Sequence, residues 1–203
     1  NRAVTAGKPF FVNLWPDDVH GPWWPPVAKW AEDKRGKYLA VLESMDRQFG
    51  RLFDHLRSTP ALRDNTLLLI CSDNGPEPGA GSAGPFRGSK TTLYEGGTRS
   101  PLIVWGPGLI DKAKAGRVNT QSVFAAFDLA PSLLAIAGID AGEMTFDGEN
   151  IAPALLGQKD VSREKPIFWR RPRDRKIAAP NLPERLPDLA MREGHWKFLC
   201  EYD

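Results

Sequence analysis

Three short groups of polar side chains hold the chemical potential of this sequence. The first is Asp73-Asn74-Gly75, which ends the apolar run Leu67-Leu68-Leu69-Ile70-Cys71 after a single serine. Such a run, bounded by polar and Gly/Pro-rich sequence, predicts a buried strand of a parallel sheet. Ligands of open α/β sheets bind beyond the carboxyl ends of the strands. A carboxylate beside an amide oxygen suits a hard cation, calcium or magnesium rather than zinc. The same residue types also suit a strand-ending turn, and both readings stand at this point. The second group centres on His20, in the proline-rich loop from Pro16 to Pro26. It can be an acid, a base, a metal ligand or a plain surface residue, and the neighbouring Asp17-Asp18 are ligands or solvated acids. The third is Phe86-Arg87-Gly88-Ser89-Lys90, within a glycine-rich loop from Gly75 to Gly97. Gly88, Gly96 and Gly97 permit close backbone approach, and Arg87 and Lys90 offer charge to an anion. The Walker spacing is absent, and a basic pair in a loop is otherwise solvated.

The elements that must position these groups follow from periodicity. Lys8–Trp15, apolar almost throughout, predicts a central strand. Gly36–Ser58 carries Leu39, Leu42, Met45, Phe49, Leu52, Phe53 and Leu56 at helical spacing and is closed by Pro60. His55 falls on this helix and is assigned to its surface. Strand, helix and the strand at Thr66–Cys71 then read as a right-handed crossover unit of a parallel sheet. Pro101–Trp105 is a further strand. Thr120–Ala137 predicts a helix that Pro131 either kinks or begins, with Gly138 as its stop. Asp147–Gly157 reads as a surface excursion. Leu189–Arg192 and Gly194–Cys200 predict a hairpin turning at Glu193-Gly194, with His195 exposed.

Composition narrows the class. A chain of 203 residues with net charge +2 can bury a core and gives no global reason to expect nucleic acid. Seven Trp and 18 Pro point to loop-rich, aromatic-lined surfaces, and two cysteines are too few for a disulfide framework. No apolar run approaches the ~18 residues of a membrane span, and no leader or targeting segment is evident. The start at Asn1, just before a strand, reads as a piece of a longer protein. Basic residues interleave with Phe168 and Trp169 between Arg163 and Lys176. That stretch is either a grip for nucleic acid or acidic polysaccharide or an edge strand with charged neighbours.

Neighbouring parallel strands would bring His20, Asp73-Asn74 and Lys90 to one edge of the sheet, beside a divalent cation and an anion. That points to metal-assisted attack on a phosphate or sulfate ester. The wording of the segments is more specific. Pro9-Phe10-Phe11 with His20-Gly21-Pro22, Leu69–Gly75, Phe86–Lys90, Tyr94–Pro101, Asp128–Leu133, Asp147-Gly148 and Arg192–Lys197 together resemble the C-terminal part of a type I, arylsulfatase-like sulfatase of the alkaline-phosphatase-like superfamily. The resemblance implies that Asp73 and Asn74 are calcium ligands, that Lys90 binds the sulfate and that His20 assists the leaving oxygen. It implies a sulfated small molecule or carbohydrate as substrate. It also implies an address in the periplasm, the cell exterior or a lysosome-like compartment. The implied fold is α/β, a partial mixed and largely parallel sheet flanked by helices. Residues 1–161 would be the C-terminal part of the catalytic domain, and 162–203 the start of a small antiparallel subdomain.

One part of the family's pattern is missing. Its nucleophile is a formylglycine made from cysteine in a Cys-x-Pro-x-Arg segment. Cys71 precedes Ser-Asp-Asn-Gly and Cys200 precedes Glu-Tyr-Asp, so the formylglycine is expected outside these residues. Cys71 reads as a small apolar strand residue, and Asp17-Asp18 do not match the family's metal-binding pair. These residues alone are expected not to hydrolyse sulfate esters and, with open edges and faces, to be poorly soluble. Two alternatives remain: a phosphoesterase or phosphonate hydrolase of the same superfamily, and a non-catalytic polyanion-binding module centred on Arg163–Lys176.

Overall fold

The computed structural model describes residues 2–171 and 186–201. They form two compact units. One comprises residues 2–66 and 72–101, the other 67–71, 102–171 and 186–201.

The first unit opens with α1 (Arg2–Thr5), a single turn. Residues 8–17 continue as chain with no ladder partner among the described residues. The strand expected at Lys8–Trp15, and with it the crossover unit, therefore does not form. Phe11, Val12 and Trp15 are 72%, 70% and 84% exposed. An apolar pattern specifies a surface to be covered but not the strand that covers it. The long helix α2 (Lys34–Ser58) begins where the Asp33 carboxylate accepts the Gly36 N–H at 2.8 Å, a cap that stabilises by about 1 kcal/mol. It ends at Thr59, and Pro60 opens the one-turn α3 (Pro60–Arg63). Ala40, Val41 and Leu56 are its buried residues, while Leu39 and Leu52 of the expected apolar face are exposed. His55 is exposed, as expected. The glycine-rich segment contains one further helical turn, α4 (Glu95–Thr98).

In the second unit, β1 (Leu68–Cys71) pairs with β2 (Leu102–Trp105) in register Leu68↔Trp105 and Cys71↔Leu102. The ladder is antiparallel, because the chain returns to β1 after residues 72–101. Every strand pairing among the described residues is antiparallel. Cys71 is the last residue of β1 and is exposed. Helix α5 (Leu129–Ile136) begins two residues before Pro131, so the proline sits in the first turn, where its missing N–H costs nothing. Gly138, at φ +67°, ends it: the N–H of Ile139 reaches back to the Leu134 carbonyl at 2.9 Å.

The segment expected to be a surface excursion is instead core. Ile151 is 1% exposed and leads into α6 (Ala152–Leu155), whose Ala152 and Leu155 are buried. Asp128 causes this. It is fully buried and its carboxylate accepts the N–H groups of Ala125 at 2.7 Å and Glu149 at 2.8 Å. The Ser132 hydroxyl accepts the Ile151 N–H at 2.8 Å. Arg163 closes the group, 3.3 Å from Asp128 with its side chain 3% exposed.

A three-stranded antiparallel sheet completes the unit: β3 (Ile167–Arg170), β4 (Leu189–Glu193) and β5 (Trp196–Cys200), in that spatial order. The hairpin turns at Gly194-His195, with Gly194 at φ +53° and His195 exposed. No helix among the described residues is long and apolar enough to cross a membrane.

Candidate active site

The sequence after β1 folds back on itself through its backbone. Gly75 donates its N–H to the Gly97 carbonyl at 3.0 Å, Lys90 to Pro76 at 3.0 Å, and Gly96 to Arg87 at 2.8 Å. These contacts require bare Cα atoms. A Cβ on Gly75 would lie 1.9 Å from the Gly96 carbonyl oxygen, one on Gly96 2.3 Å from that of Gly88, and one on Gly97 2.1 Å from that of Thr92. The long loop is therefore a tightly packed backbone platform with Thr92, Leu93 and Tyr94 buried in it. Strain is concentrated beside Lys90: Thr91, a β-branched residue, sits at φ +76°, which only surrounding structure can hold.

On this platform Asn74 is fixed by its carbonyl, which accepts the hydroxyls of Ser72 at 2.8 Å and Ser100 at 3.1 Å. The side chains of Asp73 and Asn74 make no hydrogen bond among the described residues, and Asp73 is exposed. Their oxygens are thus free to ligate, and the donor set, carboxylate plus amide, fits calcium or magnesium. No group of three or more His, Cys, Asp or Glu that could hold a metal is found among the described residues. The other ligands of a six- to eight-oxygen shell would have to come from elsewhere.

The Lys90 ammonium is 3.7 Å from Glu77, and the same carboxylate is 3.7 Å from Lys34 at the start of α2. Lys34 also donates to the Pro78 carbonyl at 2.6 Å and lies 5.5 Å from the Trp23 ring. Trp23 belongs to the His20 loop and donates its indole N–H to Val19 at 3.0 Å. His20 is exposed, with Nδ1 2.8 Å from the Gly21 carbonyl. A carbonyl only accepts, so Nδ1 bears a proton, and Nε2 makes no hydrogen bond among the described residues. The fold therefore bonds the Lys90 backbone N–H to the Pro76 carbonyl, two residues after Asn74. His20 is linked to them only in steps, through Trp23, Lys34 and Glu77. Arg87 is exposed, and its guanidinium stacks 4.2 Å from the Tyr94 ring.

Sequence reasoning missed Glu77 and Lys34. The available signal was a single acid in a segment otherwise made of Gly, Pro, Ala and Ser, where nothing but a partner explains it. The other basic candidate resolves differently. Arg163 is buried against Asp128, and Arg171 bonds to Asp188 at 2.8 Å. Arg170 lies on β3, an edge strand of its sheet among the described residues. Arg173, Arg175 and Lys176 lie outside the described residues.

The family described as Sulfatase matches residues 2–139. This chain belongs to the sulfatase family. It is 34% identical over 177 residues to N-acetylgalactosamine-6-sulfatase of Canis lupus familiaris, covering 84% of this chain and 32% of that protein. It is 29% identical over 200 residues to arylsulfatase A of Homo sapiens, covering 96% and 36%. Among solved structures, Ps i-CgsB in complex with k-i-k-neocarrahexaose superposes with TM-score 0.79 at 28% identity, covering 98% of this chain and 42% of that one. The PsFucS1 sulfatase from Pseudoalteromonas sp. has TM-score 0.71 at 24% identity and shares the α/β fold. The chain spans about a third of the length of the curated relatives it matches.

Proposed function

We propose that this chain is the C-terminal portion of a sulfuric ester hydrolase and supplies its leaving-group and anion-binding side. The carrying observation is the hydrogen bond from the Lys90 N–H to the Pro76 carbonyl, within the tightly packed backbone that follows Asp73 and Asn74, which supports two oxygen ligands and an ammonium stemming from one platform. In this reading Asp73 and Asn74 hold a calcium ion, which when bound polarises the sulfate oxygens. Lys90 donates to a sulfate oxygen as charge develops there. His20, as an imidazolium with its second proton on Nε2, gives that proton to the leaving alkoxide as the S–O bond breaks. The nucleophile, a formylglycine, lies outside these residues.

Sulfated carbohydrate is the favoured substrate class. Support comes from the N-acetylgalactosamine-6-sulfatases among the relatives and from the neocarrahexaose bound by the similar solved structure. We assign residues 1–161 to the catalytic domain and 162–203 to a small antiparallel subdomain, a reading the β3–β5 sheet favours. The exposed apolar stretch at Phe10–Trp15 favours a largely parallel sheet in the full-length protein, with that stretch and β1 paired to strands from elsewhere. An address in the periplasm, the cell exterior or a lysosome-like compartment rests on the resemblance alone.

Full-length protein assayed on paired aryl sulfate and aryl phosphate esters tests the reading. Sulfate turnover that is lost on chelation and restored by calcium is expected. A preference for the phosphate ester would move the assignment to the phosphoesterases of the same superfamily.

A further inference from the structure

We propose that Glu77 is a positioning residue for Lys90, holding its ammonium over the sulfate site against a second anchor, Lys34. The inference rests on the reading of Lys90 as the sulfate-binding lysine. Glu77 is mounted rigidly. Its carbonyl accepts the N–H groups of Ala80 at 3.2 Å and Gly81 at 3.0 Å, and Pro76 precedes it. A Cβ on Gly81 would lie 2.5 Å from the Pro76 Cβ, so the turn has no room to open. The residue before Glu77 accepts the Lys90 backbone N–H, so carboxylate and ammonium start from adjoining points of one backbone lattice.

The two carboxylate oxygens are used separately: Oε1 is 3.7 Å from Lys34 Nζ, and Oε2 is 3.7 Å from Lys90 Nζ. Lys34 is itself tied to the Pro78 carbonyl, so Glu77 is held from the far side. A separation of 3.7 Å is beyond hydrogen-bond reach. Glu77 therefore steers the Lys90 ammonium by charge without using its three N–H donors, which stay available to an anion. The Lys90 side chain is 25% exposed and Glu77 32%, so the field between them is only partly screened. A free lysine has four side-chain torsions to order on binding, and a carboxylate behind it removes much of that cost.

The sign of the effect separates positioning from proximity. A carboxylate near an anion site repels the anion, so removing a bystander charge should tighten sulfate binding. Removing a positioning carboxylate should weaken it. The experiment uses the full-length enzyme, with inorganic sulfate as competitive inhibitor and an aryl sulfate as substrate. For Glu77→Gln the inhibition constant of sulfate and KM should both rise roughly two- to fivefold, the upper range of one partly exposed ion pair. The melting temperature should stay near that of the parent. Glu77→Asp keeps the charge but retracts it, and should fall between Gln and the parent. It also decides the matter if Glu77→Gln lowers the melting temperature, since an unchanged or tighter sulfate constant in Glu77→Asp would overturn the inference. The inference also fails if sulfate inhibits Glu77→Gln as well as or better than the parent while Lys90→Ala weakens that inhibition. If Lys90→Ala leaves inhibition by sulfate unchanged, the assignment of Lys90 itself falls, and Glu77 with it.

Discussion

Residues 72–101 and residues 125–165 are both dense with polar groups, yet they treat charge in opposite ways. In the first, the backbone is buried and the charged side chains are left accessible: Asp73 is exposed, and Lys90 and Glu77 meet only at 3.7 Å. In the second, the charges are drawn inward and paired with one another or with backbone N–H groups. Asp128 accepts two backbone N–H groups beside Arg163, and the Glu149 carboxylate accepts the N–H groups of Glu164 and Lys165, each at 2.7 Å. The Arg163 guanidinium further packs 4.7 Å from the Phe127 ring. A charge already paired inside the fold is turned away from any ligand. A charge on a rigid platform with open donors or lone pairs is not. The contrast supports the proposal that the first region is site and the second scaffold, although both carry residues of the family's pattern.

The largest expected effect breaks the scaffold. Asp128→Ala leaves Arg163 buried without its carboxylate and should cost about 3–5 kcal/mol, read as a fall in melting temperature of the full-length protein. KM of the protein that remains folded should not change, because Asp128 is not among the proposed site residues. Next, Gly75→Ala forces a Cβ into the Gly96 carbonyl and should cost about 3 kcal/mol, with sulfate-ester turnover lost as the platform opens. A loss of stability with turnover intact would show that Asn74 and Lys90 do not depend on that backbone packing.

A subtler effect concerns pH. Burial alone would raise the Glu149 carboxyl. The N–H groups of Glu164 and Lys165 and the charges of Arg163 and Lys165 outweigh it, and hold the group below the usual carboxylate range. A carboxyl depressed in the folded state contributes stability that is complete above its unfolded value, near 4.3. That stability is lost as pH falls through the folded value. Melting temperatures measured downward from neutral pH should therefore begin to fall below about pH 4.5, and Glu149→Gln should flatten part of that slope. The smallest effect is a predicted null. Arg170→Ala with Arg171→Ala should leave heparin binding unchanged, whereas a clear loss would revive the polyanion-binding reading.

Much of the architecture was legible wherever a local pattern had a local cause. β1, the start of α5 near Pro131 and the hairpin at Gly194 each follow from residues adjacent in sequence. What was not legible depended on distant partners. Nothing in Asp147–Gly157 announces that Glu149 and Ile151 will be drawn inward by Asp128 and Ser132, some twenty residues earlier. The apolar stretch at Lys8–Trp15 reads as a strand, but a strand exists only with a neighbour to pair with. The antiparallel return of β2 onto β1 was hidden because thirty residues of loop separate them. Among the proposed site residues, Asp73 and Asn74 were visible as chemistry just beyond β1, and Lys90 and His20 as polar groups in Gly- and Pro-rich loops. Glu77 and Lys34 were not, since their role lies in a contact across 43 positions of sequence.

The central claim is that the platform carrying Asn74 and Lys90 is the anion-binding side of a sulfate-ester hydrolase. The most direct measurement is kcat/KM of full-length protein on an aryl sulfate, for the parent and for Lys90→Ala. Removing one preorganised donor to developing charge typically costs a hundred- to a thousandfold, and a loss of about that size is predicted, with the melting temperature unchanged. A variant that keeps the parent's kcat/KM would contradict the claim.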